Sequence, residues 1–221
     1  LATMNWEPIY GKSLPEGGVF TAVTREAFRR GGYRLDVKFV PWKRAMKMSK
    51  RGDYHGILGA GQSSERKPHF TATEMVIQFE GFLFSRAEET ITYTELQDLK
   101  QYTVGVVRGE VADEMLQNAG VKVERVPTYG QNLKKLMAKR ISLMSGDKFL
   151  MSDLLKKHPE YQGKVKAVSP PYLVTPLCVL ISKTRPDYAA VTADFNRGLQ
   201  EMLNDGAFDA IVKRFGFSDL R

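Results

Sequence analysis

Strand-type and helix-type segments alternate along almost the whole chain. That alternation constrains the fold more than any other feature, because it selects an α/β architecture with helices packed on sheets. Leu35, Val37 and Phe39 alternate with polar neighbours as in a half-buried strand. Before them, GGVFTAVTREAFRRGG places Val19, Phe20, Val23 and Ala27 on one helical face, with Gly31-Gly32 as the stop. After them, Trp42, Ala45 and Met46 fit a helix that starts behind Pro41 and ends near Gly52. YHGILGAG then reads as a short buried strand running into a glycine-rich turn.

A second series starts near residue 86. Thr103–Val107 is a strand, and Val111, Met115, Leu116 and Ala119 mark a helix that Gly120 ends. VKVERV is a strand, and Asn132 is placed to cap a helix carrying Leu133, Leu136 and Met137. Ile141 to Met144 is a short strand, Lys148 to Lys157 a helix, and KVKAV a strand. Leu177, Val179 and Ile181 form the last strand. A long helix with Tyr188, Val191, Phe195, Leu199 and Met202 follows. Asp205-Gly206 breaks it before a short helix with Phe208, Ile211, Val212 and Phe215.

At 221 residues the chain can bury a core without metals or disulfides. Its longest apolar run, Pro176 to Ile181, is far shorter than the roughly 18 residues of a membrane span. The single cysteine, Cys178, sits among apolar residues as a core thiol and permits no intrachain bridge. The first residues, Leu1-Ala2-Thr3, fit either a mature product of leader cleavage or a trimmed segment. The net charge of +8 is spread over pairs such as Lys43-Arg44, Lys50-Arg51 and Lys139-Arg140, without a nucleic-acid-binding motif.

Signatures of catalysis are missing. His55, His69 and His158 form no metal-ligand spacing, and there is no GxSxG elbow and no Walker loop. Gly59-Ala60-Gly61 is half of a dinucleotide fingerprint, but Ser64 holds the third glycine position. No cofactor or metal is therefore expected. What remains is a recognition inventory. Trp6 and Trp42 lie at element junctions, where an indole is either core or a flat wall for a ligand. Arg66, just past the glycine-rich turn, can grip a carboxylate through two parallel bonds.

The order of these pieces resembles the bacterial extracellular solute-binding proteins of family 3, the polar amino-acid type of periplasmic binding protein. The resemblance rests on NWEPIY, on VPWKRAMKMSKRGDYHGILGAGQSSERKPHFTAT, on TVGVVRGEVADEML and on FNRGLQEMLNDGAFDAIVKRFG. It implies a type II periplasmic binding protein fold. Two α/β lobes, residues 1–85 with 176–221 and residues 86–175, would be joined by two crossover strands and would close on solute by a hinge. Trp6 and Trp42 match the family's two stacking aromatics. Gly59 and Gly61 match turn positions that meet the solute, and Ser63 and Arg66 match a Ser/Thr-x-x-Arg element whose arginine takes a carboxylate. Gly109 and Glu110 match the loop before a helix N-terminus that favours an anion.

Three residues depart from the family pattern. Glu110 stands where Ser or Thr is frequent, and its carboxylate opposes a bound anion. Ser142 stands where amino-acid binders carry an ammonium-holding Asp, with Asp147 as a substitute a few residues on. His55 replaces a usual Asp. The resemblance implies a monomeric periplasmic receptor that captures a small polar solute, delivers it to an ABC importer and catalyses nothing. Its rivals are a solute-sensing module, disfavoured by an ending at Phe217–Arg221 with no following span, and a dehydratase with Glu110 as general acid.

Overall fold

A computed structural model describes residues 1–217 and 220. Ser218, Asp219 and Arg221, part of the ending noted above, lie outside the described residues. The chain divides into two compact units. Unit one is Leu1–Gln78 with Thr175–Arg221, and unit two is Phe79–Val174.

Unit one starts with β1 (Ala2–Thr3), α1 (Val19–Arg30), β2 (Lys38–Phe39), α2 (Trp42–Arg51), β3 (Gly56–Ala60) and β4 (Phe70–Ala72). β5 (Ile77–Arg86) then carries the chain into unit two. β1 pairs parallel with both β2 and β3. The returning strand β9 (Val165–Ser182) runs antiparallel to β3 and to β4 through its C-terminal part. The expected Leu35–Phe39 strand shrinks to two residues. Leu35, Val37 and Phe39 do alternate with exposed neighbours, but only Lys38 and Phe39 find a ladder partner, at the sheet edge.

The helices of unit one follow their patterns. α1 buries Val19, Phe20, Val23, Ala27 and Phe28 against α6 (Tyr188–Asn204) and α7 (Ala207–Arg214). The Phe28 and Phe195 rings meet at 4.7 Å. Gly198 sets how close α6 comes, since a Cβ there would collide with the Ala27 carbonyl oxygen. α2 packs on β1 and β3. It stops at Gly52, whose φ of 90° is a left-handed cap that favours glycine. Cys178 is 5% exposed, and burial pushes its thiol up to about 11, so it stays protonated as a core residue.

Unit two consists of most of β5, then β6 (Thr103–Val107), α3 (Val111–Asn118), β7 (Lys122–Val126), α4 (Tyr129–Met137), β8 (Leu143–Gly146), α5 (Lys148–Lys157) and the first part of β9. β6 is parallel to β7 and to β8, and β8 is antiparallel to β5. Leu83, Leu99, Val104, Val106, Leu116 and Leu143 fill its core. The N-cap of α4 differs from the expectation. Thr128, not Asn132, accepts from the Gln131 N–H, and the helix starts at Tyr129. Asn132 lies wholly buried over Gly105 of β6, where a Cβ would sit 2.5 Å from its Oδ1. β8 begins two residues later than the expected Ile141 start.

Candidate functional site

Unit one brings four of the expected residues together around the turn after β3. Arg66 sits in a run of turns that opens with its own N–H and that of Lys67 donating to the Ser63 carbonyl, at 3.1 and 3.0 Å. Its side chain is 6% exposed, and its Nη1 donates to the Gly61 carbonyl at 2.7 Å. The guanidinium carbon lies 5.6 Å from the ring centre of Trp42, the first residue of α2. A buried charge needs this kind of support: a carbonyl dipole on one donor and a π face on the plane. Ser63 adds a hydroxyl whose oxygen is enclosed and has no hydrogen-bond partner among the described residues. Trp42 also serves the core, packing with Ala45, Ile57 and Phe70.

Trp6 and Gly59 belong to a neighbouring arrangement built on Tyr10, which carried no role in the sequence reading. The Trp6 and Tyr10 rings meet edge to face at 5.2 Å, and Tyr10 meets Phe20 at 5.7 Å. Tyr10 donates to the Gly59 carbonyl at 3.1 Å. Its ring covers the Cα face of Gly59, so a Cβ there would lie 2.6 Å from the Tyr10 Cε1. Gly59, expected in a turn, lies inside β3 at the break in its register with β9, and its φ of +73° makes a bulge beneath a tyrosine. A pocket of about 340 Å³ elsewhere in unit one is lined by Phe28, Tyr33, Tyr54, His55 and Arg185 and shares no residue with these groups.

Unit two gathers acids and phenols. Glu110 is the N-cap of α3, and its carboxylate accepts from the Tyr129 hydroxyl. Asp147, 3% exposed, caps α5 by accepting from the Leu150 N–H at 2.8 Å. Burial first, and then the Glu110 and Asp147 carboxylates, hold the Tyr129 and Tyr172 phenols well above their ordinary range, so both stay protonated donors at neutral pH. The loop at Gly109 differs from an anion site. Its N–H donates to Asp113 Oδ2 at 3.0 Å, and Asp113 is paired with Arg125 at 2.8 Å. The chain's own carboxylate therefore fills the role that the helix N-terminus offers an anion. Ser142 is not brought into this group. Its N–H donates to the carbonyl of Thr103, at the start of β6, whereas Gly109 and Asp147 follow the ends of β6 and β8.

Tyr129 and Tyr172 were missed because no periodicity marks them. The one local signal was the Pro127-Thr128 start of α4, which places residue 129 in the first turn. Among the described residues, no group of three or more His, Cys, Asp or Glu could hold a metal ion. No helix among them is long and apolar enough to cross a membrane.

The two α/β units are linked by two strands, β5 and β9, and each carries polar groups past the ends of its parallel strands. The chain belongs to the bacterial extracellular solute-binding proteins, family 3, whose pattern it matches over residues 15–218. Its fold is that of type II periplasmic binding proteins. An ancestral arginine-binding protein bound to arginine superposes with a TM-score of 0.81 at 19% identity, covering 97% of this chain and 96% of that one. The arginine-, lysine-, histidine-binding protein ArtJ from Geobacillus stearothermophilus gives 0.80 at 15% identity, over 97% and 93%. A histidine kinase sensor domain with similarity to periplasmic binding proteins gives 0.85 at 17% identity, over 100% and 96%. No curated protein matches the chain.

Proposed function

We propose that the protein is an extracytoplasmic receptor for a small solute bearing a carboxylate and an ammonium group, an α-amino acid or a close relative, which it delivers to an ABC importer. The observation that carries this reading is Arg66, buried and braced by the Gly61 carbonyl and the Trp42 ring. Such a guanidinium receives a carboxylate through two parallel charge-assisted bonds. Ser63, Gly61 and the Trp6–Tyr10–Gly59 arrangement complete the contribution of unit one. Glu110 and Asp147 supply the negative charge for the ammonium, with Gly109 holding the loop, and hinge closure of the units belongs to the same reading. Hydrogen bonds to charged groups contribute about 1.5–3 kcal/mol each. Three of them reach the roughly 8 kcal/mol of a micromolar site with aromatic burial added. Binding alone suffices, and no bond-making group is required.

The test is calorimetry against the amino acids together with mass spectrometry of whatever the denatured protein releases. One tight ligand at one-to-one stoichiometry, recovered unchanged, is the expected result. No binding across the panel, or a product formed from the ligand, overturns it. The second reading is solute sensing, favoured by the likeness to a histidine kinase sensor domain over the full chain. A membrane span and kinase segment encoded in continuity with this chain would decide for it.

A further inference from the structure

The charge of the molecule is unevenly placed. Unit one carries +6 of the net +8, with 19 Lys and Arg against 13 Asp and Glu, and unit two carries +2, with 14 against 12. A single ten-residue helix, α2, holds five cations and no acid: Lys43, Arg44, Lys47, Lys50 and Arg51. At 3.6 residues per turn, all five fall within an arc of about 120°. The opposite side carries Trp42, Ala45 and Ser49, which are buried. Lys50 pairs with Glu65 at 2.8 Å and Arg51 with Asp53. Lys43, Arg44 and Lys47 are exposed and have no ion pair among the described residues. Lys67 and Lys183, also exposed, extend the basic surface beyond the Glu65 contact.

We infer that this face of α2 is a docking surface for the anionic headgroups of a phospholipid bilayer. Charge complementarity points to that occupant. The helix spends its apolar side on the core of unit one and so has nothing to insert. Its outward side offers long, flexible cations and no exposed aromatic anchor, whereas the centres of protein interfaces favour aromatics and are poor in lysine. A sheet of lipid phosphates needs no fixed geometry, and each Lys or Arg near such a surface strengthens adsorption about fivefold. Adsorption would hold a diffusing receptor beside the membrane where solute is handed over, and it does not depend on which solute is bound.

The experiment is co-sedimentation with vesicles of phosphatidylglycerol and phosphatidylcholine, against vesicles of phosphatidylcholine alone, at low ionic strength. The protein is expected on the mixed vesicles only, and to leave them in 0.5 M salt. The triple variant Lys43→Gln, Arg44→Gln, Lys47→Gln is expected to lower partitioning about 100-fold. A control variant, Lys156→Gln, Lys164→Gln, Lys166→Gln, removes the same charge from exposed positions of unit two and should partition as the native protein does. Circular dichroism confirms that both variants are folded. Failure of the native protein to bind the anionic vesicles overturns the inference. So does an equal loss in both variants, which would make adsorption a matter of net charge.

Discussion

The two units deliver opposite charges from the same kind of scaffold. In each, the candidate groups follow the ends of parallel strands, where open α/β sheets place ligands. Arg66 comes after β3, Glu110 after β6 and Asp147 after β8. The supports differ. In unit one a cation rests on a carbonyl oxygen and an indole, neither of which titrates. In unit two, anions rest on a helix N–H and a tyrosine hydroxyl, and the second of these carries a proton that alkali can remove. The cationic half is shared with the core of unit one, whereas the anionic half sits at the N-termini of two helices of unit two.

The sharpest way to break this contrast is through stability. Trp42 is 8% exposed and packs in the core of unit one. Trp42→Ala should cost about 3–5 kcal/mol in urea unfolding. Tyr129→Phe in unit two should cost no more than about 1.5–3 kcal/mol, the value of one hydrogen bond to a charged group. The tyrosine contribution should be complete below pH 10 and fade above it, because the folded phenol ionises later than the unfolded one. Equal costs would remove the distinction. Next comes affinity. Arg66→Ala should weaken a carboxylate-bearing solute about 100-fold by calorimetry, or about 2.7 kcal/mol. Arg66→Lys should recover little, since an ammonium cannot reproduce the planar fork. Native affinity in Arg66→Ala would exclude unit one from carboxylate recognition.

How much of this was readable from the sequence depended on whether a signal was local. Helix α1 between its glycine pairs, α2 between Pro41 and Gly52, and strand β6 were legible residue by residue, because caps and periodicity act within a few positions. β5 was missed. Its sequence, IQFEGFLFSR, alternates at first and then runs fully buried, a change of environment along one strand that no single period describes. Asn132 was misjudged because a buried amide over a glycine and a cap are the same letter in a sequence, and only the neighbouring strand tells them apart. At the site, the sequence pointed to Arg66 and Trp42, and the structure brings them within 5.6 Å. The tyrosines escaped notice because phenols act through what packs against them.

A smaller effect sharpens the account of unit two. Glu110→Gln keeps the shape of the side chain and its bond from Tyr129 but deletes the charge. It should weaken an ammonium-bearing solute about tenfold, or 1.4 kcal/mol. The same acid without its amino group should bind both proteins equally. A loss of equal size for both solutes would show that Glu110 shapes the loop rather than neutralising a cation.

The smallest effect asks whether unit one is indifferent to pH everywhere or only at Arg66. On the outer side of α1, Glu26 pairs with Arg29 at 2.7 Å and with Arg30 at 2.9 Å. Hydrogen bonding from Arg29 first, with Arg30 assisting against the cost of burial, holds the Glu26 carboxyl down at about 2. A carboxyl depressed in the folded state stabilises it above the unfolded value, near 4.5, and loses that contribution as the pH falls towards 2. Glu26→Gln should therefore melt below the native protein by no more than about 2–4 °C at neutral pH, as expected for solvent-facing pairs. The two proteins should converge as the pH approaches 2. Convergence would show that Glu26 acts through its charge, as one acid-sensitive pair of unit one beside Lys50–Glu65 and Arg30–Asp205. A gap that persists to pH 2 would mean that the Glu26 side chain acts through its packing rather than through its charge.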